Sequence, residues 1–379
     1  MAPMLPAPRA ETPSLADVLT GALGAILGES GRLALPPVRS AAVLMIDGLG
    51  MSALSQHSGH ARRLLNALPS RGGSIESGFP TTTASALATL TTGLSAGEHG
   101  LVGYSVLDRA RDRVVKQLSG WDDDMRPREW QPHNTVFERA AKHGVDAVIV
   151  GAERYRDTGF TEAVLRGARF EAYGSVAERI ARGVALMRGS ERRLVYVYVP
   201  EIDMAGHAEG IASALYTARL DELDSALRVL DAPLPADAGV LLTADHGMLD
   251  VPPHRRIVVD AGSGLWDGIR HVAGEPRCLH FALDDPAHAE LVRDRWLDAE
   301  GSRSWVVTRG EAIAAGWFGT VRAGVESRIG DVLVAARAQV AYYDERTASA
   351  QSLSMVGQHG SFSADELRVP LARWGAFAH

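Results

Sequence analysis

The sequence predicts an α/β fold, doubly wound, with a mostly parallel central sheet, helices on both faces, and a smaller inserted, cap-like region. Three observations carry this prediction. Continuous apolar runs of strand length, such as Ala41 to Ile46 and Gly239 to Thr243, have the composition of strands buried on both faces. Helix-like stretches, Val176 to Met187 and Ala212 to Leu230, alternate with those runs as βαβ units require. Polar residues such as Asp47 follow the runs directly, at the sheet edge where open α/β folds bind ligands.

Taken in chain order, residues 1 to 14 carry Pro3, Pro6, Pro8 and Pro13 and read as a loose leader. Leu15 to Leu27 reads as an amphipathic helix. Glu11 and Asp17 precede or interrupt it and only Arg9 is basic, which does not fit a secretory signal. Pro36 and Pro37 break the chain before the strand Ala41 to Ile46. A helix from Thr135 to Lys142, with Asn134 as its N-cap and Gly144 as its terminator, precedes the strand Ala147 to Val150. Leu194 to Val199, β-branched and aromatic, ends at Pro200 and delivers Asp203. Gly239 to Thr243 delivers Asp245 and His246. Residues 251 to 350 interrupt the alternation and contain strands such as Ser304 to Thr308 and Asp331 to Ala335. The expected organisation is therefore a leader and helix over 1–40, a core over 41–250 and 351–379, and an inserted region over 251–350.

Composition narrows the class. The chain has 379 residues, 46% hydrophobic and 22% charged, with a net charge of −7. That balance gives no global field for a nucleic acid polymer or an anionic membrane, so an anionic substrate needs local positive charge. The single cysteine, Cys278, excludes an internal disulfide and a thiolate metal cluster, and suits a reducing compartment. No apolar stretch reaches the roughly 18 residues of a membrane span. A cytoplasmic location is expected; oligomeric state leaves no signature.

Six residues of metal-ligand type stand in four blocks: Asp47; Asp203 with His207; Asp245 with His246; and His359. Asp203 and His207 are four apart, so on a helix both point from one face and can grip one ion, with Gly206 leaving room for close approach. Asp245 and His246 emerge where a strand stops and the chain turns. His359 lies between Gln358 and Gly360. Each block alone is also what a surface turn produces; their combination points to a two-metal phosphoryl-transfer site. The run Thr81-Thr82-Thr83 follows Pro80 and precedes an Ala/Leu-rich helix. A hydroxyl at that helix start would have its alkoxide stabilised by the helix dipole and by bound metal.

These pieces resemble the alkaline phosphatase superfamily, and within it the nucleotide pyrophosphatase/phosphodiesterase branch. The matching motifs are Asp47-Gly48, Phe79-Pro80 with the threonine run, Thr92-Gly93-Leu94, Glu98-His99-Gly100, Asp203 to His207, Thr243 to Met248, and Gly357 to Gly360. The resemblance implies two divalent ions, usually zinc with manganese as an alternative, about 4 Å apart. One would be held by Asp47, Asp245, His246 and a threonine oxygen, the other by Asp203, His207 and His359. It places the nucleophile on Thr83, with Thr81 and Thr82 open, and implies a covalent phosphothreonine. Where that branch has a phosphoryl-binding asparagine this chain has Tyr104, whose hydroxyl can donate one hydrogen bond.

Charge counting favours a small diester or pyrophosphate substrate, because two divalent ions balance three aspartates and an alkoxide, and no basic residue adjoins the motifs. Phosphonate hydrolysis, as in phosphonoacetate hydrolase, and phosphomonoester hydrolysis are the alternatives. A phosphomutase or a non-catalytic metal-binding scaffold follows less directly. The sulfatase branch is excluded, because Cys278 lacks the required motif. Residues 104 to 132, with Trp121 and Trp130, read as an excursion over the site. The tryptophans there, with Arg154, Tyr155 and Arg156, read as packing and solvated surface before they read as a frame for a leaving group.

Overall fold

The structure, a computed structural model, describes residues 4–7 and 12–378. Part of the expected leader, with Arg9 and Glu11, lies outside the described residues. The centre is a six-stranded sheet. Its strands are β1 (Ser40–Ile46), β2 (Asp146–Gly151), β3 (Arg169–Ala172), β4 (Arg193–Val199), β5 (Ala238–Thr243) and, last in the chain, Ala372–Gly375. The order across the sheet is Ala372–Gly375, β5, β1, β4, β2, β3. The first five are mutually parallel, and only the last strand runs antiparallel, against β5.

All seven residues of β1 are buried, because β1 lies mid-sheet with β4 on one side and β5 on the other. Its register aligns Ile46 with Val199. The strands therefore end together, and the residues after them gather at one edge.

Two groups of helices cover the sheet. Helix α1 (Ala16–Leu27) packs on β1 and on α2 (Thr83–Thr92). Helix α4 (Val176–Leu186) packs on β4 and α6 (Ala214–Ala226). Between these in sequence lie α3 (Val136–Lys142) and α5 (Glu201–Glu209). The N-cap of α3 is Thr135 rather than Asn134: its hydroxyl accepts from the Glu138 N–H, and the Glu138 carboxylate accepts from the Thr135 N–H. This reciprocal box satisfies two helix-end donors, which a lone asparagine one residue earlier would not.

A second, antiparallel sheet of four strands lies within residues 269–336, in the order Ile269–Glu275, Cys278–Leu283, Val332–Ala336, Ser304–Thr308. One face carries an apolar cluster around Trp296, Trp266 and Phe281. Each such buried side chain contributes about 1.5–3 kcal/mol. The other face meets Phe79, Trp317 and Phe318. No described helix is long and apolar enough to cross a membrane.

Candidate active site at the carboxyl edge of the sheet

Asp47 is the first residue beyond β1, and its N–H still donates to Val199 O at 2.9 Å. The chain turns at once. Gly48 has φ +73°, and a Cβ there would lie 2.8 Å from Asp203 Cα, so a side chain is excluded both by conformation and by the approach of α5. Helix α5 starts directly after Pro200 and carries Asp203 and His207 one turn apart, Oδ1 to Nε2 3.4 Å. A Cβ on Gly206 would meet Met248 Sδ at 2.1 Å. Close packing of α5 on the Asp245-His246-Gly247 turn depends on that glycine. His359 follows the short strand Gly357–Gln358, which pairs with Leu249–Asp250.

All three histidines are oriented the same way. Nδ1 of His207 lies 2.8 Å from Gly357 O, Nδ1 of His359 2.7 Å from Thr81 O, and Nδ1 of His246 3.1 Å from Gly247 O. A carbonyl only accepts, so each Nδ1 donates, and in the neutral imidazole that leaves each Nε2 with a lone pair. The Nε2 atoms point into one space. His207 Nε2 is 3.2 Å from His359 Nε2, and the His246 and His359 rings stack with centroids 3.8 Å apart. Burial and the neighbouring His246 and His207 push the His359 imidazole well below its ordinary pKa.

The carboxylates are arranged in a complementary way. Asp245 Oδ1 accepts from the N–H of Gly48 at 3.1 Å and of His246 at 2.9 Å, and Asp47 Oδ2 accepts from the Tyr198 hydroxyl. The remaining oxygens Asp245 Oδ2 and Asp47 Oδ1, and also Asp203 Oδ1, are buried and have no hydrogen-bond partner among the described residues. Two of them lie near His246 Nε2, Asp245 Oδ2 at 3.5 Å and Asp47 Oδ1 at 3.6 Å. Burial, then the charges of Asp245 and Asp203, push the Asp47 carboxyl well above the usual range. Buried carboxylates without donors, facing imidazole lone pairs, are costly unless cations join them. The donor set is thus of the kind that holds divalent metal with nitrogen and oxygen ligands.

Two groupings have ligand atoms within 4.8 Å of one another: Asp203, His207 and His359, and Asp47, Asp203 and His246. Asp203 belongs to both and so lies between the two halves, whereas the sequence reading set it with His207 and His359 alone. The threonine run also divides by geometry. Thr81 Oγ1 donates to Ser361 O at 2.8 Å and accepts from the Gly360 N–H at 3.0 Å, which ties it to the His359 loop. Thr82 is the N-cap of α2 and faces Glu275. Thr83, the first residue of α2, brings Oγ1 to 3.2 Å from His246 Nε2.

Tyr104 is half-buried. The contacts that fix it run to Gln117, whose N–H donates to its carbonyl at 2.8 Å, and to Lys116, whose Nζ lies 5.9 Å from its ring centroid. The tryptophans of the 104–132 stretch are packing residues: Trp121 donates to Gln117 O and lies against Gly159, and Trp130 holds the Arg328 guanidinium 3.8 Å from its ring.

Two neighbours of the cluster were not foreseen. Tyr198, on β4, holds Asp47; only the strand's alternation, which puts Tyr196 and Tyr198 on one face, hinted at it. Glu275 reaches from the second sheet to within 3.4 Å of His359 Nδ1, fully buried, and burial with the nearby Glu366 charge pushes its carboxyl well up. In sequence it sits in Gly274-Glu275-Pro276, which reads as a solvated turn.

An open, mostly parallel α/β sheet with carboxylates, imidazoles and a threonine gathered at its carboxyl edge is the arrangement expected from the motifs' resemblance to the alkaline phosphatase superfamily. Within it the chain belongs to the type I phosphodiesterase / nucleotide pyrophosphatase family, whose profile matches residues 41–362. It is accordingly an enzyme, a hydrolase of phosphoric esters or anhydrides. Among curated protein sequences none matches the chain. Similar solved structures include phosphonoacetate hydrolase from Sinorhizobium meliloti in complex with phosphonoacetate, 17% identical, TM-score 0.68, covering 89% of this chain and 91% of that one. Another is an inactive form of murine ectonucleotide pyrophosphatase / phosphodiesterase 5 in complex with AMP, 16% identical, TM-score 0.65, covering 88% and 87%. At these identities the likeness concerns the fold.

Proposed function

We propose that the chain is a metal-dependent hydrolase of phosphodiester or pyrophosphate bonds in small molecules, acting through a covalent phosphothreonine on Thr83. One observation carries the reading: Thr83 Oγ1 stands 3.2 Å from His246 Nε2, beside buried carboxylate oxygens that have no donor. Asp47, Asp245, His246 and Thr83 would hold one divalent cation, and His207 and His359 the other, with Asp203 in reach of both. Zinc suits this mixed donor set and manganese also accepts it. When bound, such cations supply Lewis-acid polarisation and neutralise developing charge.

The chain's own residues do the rest. Thr83 lies at the start of α2, where the helix dipole favours negative charge on Oγ1. Its oxygen gives up its proton to solvent and attacks phosphorus in line, the bond to the leaving oxygen breaks with its electron pair, that oxygen takes up a proton from water, and the phosphoryl group is carried on Thr83. Water then attacks the same phosphorus and restores the threonine hydroxyl. The carbonyls of Gly357, Thr81 and Gly247 accept from the three Nδ1 atoms and so aim the three Nε2 atoms at the reaction space. Tyr104 is the candidate for a hydrogen bond to a phosphoryl oxygen.

Hydrolysis of a chromogenic phosphodiester, compared with the matching monoester and with and without chelator, tests this. Chelator-sensitive turnover with diester preference is expected; strong monoester preference would defeat the substrate assignment. Phosphonate hydrolysis is the second reading, supported by the shared fold with phosphonoacetate hydrolase, and phosphonoacetate belongs in the same assay.

A further inference from the structure

We infer that Arg154 is a specificity residue that receives a second anionic group of the substrate, a phosphate or carboxylate adjoining the scissile phosphorus. The inference rests on the hydrolase reading above and specifies its substrate class. Arg154 lies in the turn that follows β2, at the same edge of the sheet as Asp47. Two contacts of its Nη2 tie it to neighbours of the cluster. Its Nη2 lies 3.4 Å from Sδ of Met204, the chain neighbour of Asp203. Nη2 also donates to the Tyr155 hydroxyl at 3.0 Å, and the Tyr155 ring meets Tyr198 edge-on, centroids 5.5 Å apart. Tyr198 in turn donates to Asp47.

The charge on Arg154 is not already used. Arg156, two residues on, is neutralised by both oxygens of Glu153 at 2.8 and 2.9 Å and also donates to Phe170 O. Arg179 is likewise paired with Glu201. Among the described residues Arg154 has no carboxylate partner, and its guanidinium carbon lies 4.8 Å from the Tyr155 ring centroid. A guanidinium held over an aromatic ring is partly immobilised before any ligand arrives, and its Nε and Nη1 have no hydrogen-bond partner among the described residues to keep them from phosphate or carboxylate oxygens. Met204, 52% exposed, leaves the approach open. This supplies the basic residue that the motifs themselves lack.

The test uses the full chain saturated with zinc. Values of kcat/KM are measured for bis(p-nitrophenyl) phosphate, whose ends are uncharged, and for three substrates with a second charge: a dinucleoside pyrophosphate, phosphonoacetate and p-nitrophenyl phosphate. In Arg154→Met the ratio of at least one doubly charged substrate to the uncharged-end diester should fall about tenfold, the effect of a lost charge-assisted hydrogen bond. Arg154→Lys, which keeps charge without the fork, should recover part of it. The substrate whose ratio moves tells whether the second charge sits on a leaving phosphate, on a carboxylate or on the phosphoryl group itself. Ratios within twofold of wild type for all three overturn the inference, as does a wild type that cleaves only the uncharged-end diester. A wild type that cleaves none of the four defeats the hydrolase reading itself, and the inference with it.

Discussion

His207 and His359 face each other Nε2 to Nε2 at 3.2 Å, while the Nδ1 of each ring donates to a backbone carbonyl. In those tautomers neither nitrogen in the gap carries a proton, so two lone pairs oppose each other. A cation shared between them turns the repulsion into coordination. His359→Ala is therefore expected to lower bound metal by about one ion per chain and activity by about 100-fold or more, since even lost outer-shell partners cost 10–100-fold. Metal analysis of the purified variant checks this; unchanged stoichiometry would take His359 out of the site.

The three threonines should separate by function as they do by geometry. Thr83→Ala removes the hydroxyl that meets His246 and should lower turnover by roughly 10³-fold or more, with metal content retained in large part. Thr81→Val removes two hydrogen bonds within the His359 loop and should cost about 1–3 kcal/mol of stability while leaving measurable turnover. Full activity in Thr83→Ala would place the nucleophile elsewhere.

Acid sensitivity has a local source outside the site. Burial lowers the His280 imidazole to about 4, and its Nδ1 accepts from the Gly330 N–H at 3.4 Å. The folded state thus holds His280 neutral where an unfolded chain, with a histidine near 6.5, takes up a proton. Stability from this group is complete above about 6.5 and is lost as pH falls toward 4, by about 1.4 kcal/mol per pH unit. His280→Phe, compared with wild type in urea unfolding at pH 7, 6 and 5, should flatten the pH slope. Parallel slopes for the two proteins would refute the assignment.

Much of the site was legible in the sequence because the fold delivers it locally. Asp47, Asp203, Asp245 and His246 each stand just past an apolar strand, and a parallel sheet whose strands end in register brings such positions together. Thr83 was legible for a similar reason, since Pro80 and the Ala/Leu run mark a helix start. Tyr198 and Glu275 were not. Their roles come from pairings between segments far apart in the chain: Tyr198 reaches Asp47 from the next strand, and Glu275 is carried in by a second sheet. Arg154 and Arg156 are alike in sequence, and only the fold shows that Arg156 takes Glu153. Asn134 is not the cap because its neighbour Thr135 has Glu138 three residues on, a spacing already present in the sequence.

A buried ion pair fastens the second sheet to the site. Arg277 and Glu366, both fully buried, form a two-pronged pair at 2.8 Å on each side, and Arg277 also donates to the carbonyls of Ala338, Val340 and Ala336. Glu366 accepts in addition from the N–H of Ser361 and Ser363, two and four residues beyond His359, while its own carbonyl accepts from Gly247 N–H. Burial alone would raise the Glu366 carboxyl; Arg277 and the two serines outweigh it and hold the group below its ordinary value. Glu366→Gln leaves a buried guanidinium without its counter-charge and should cost about 3–5 kcal/mol. Arg277→Met with Glu366→Leu removes both charges and should regain much of that stability, because a buried pair is often replaceable by apolar groups. The double variant still lacks the acceptor that holds the Ser361 and Ser363 N–H groups, so the His359 loop stays loosened. Zinc affinity, measured by chelator competition, should therefore remain weaker than wild type after stability has recovered. A double variant that binds zinc as tightly as wild type would show that this pair fastens the two sheets together without helping to position His359.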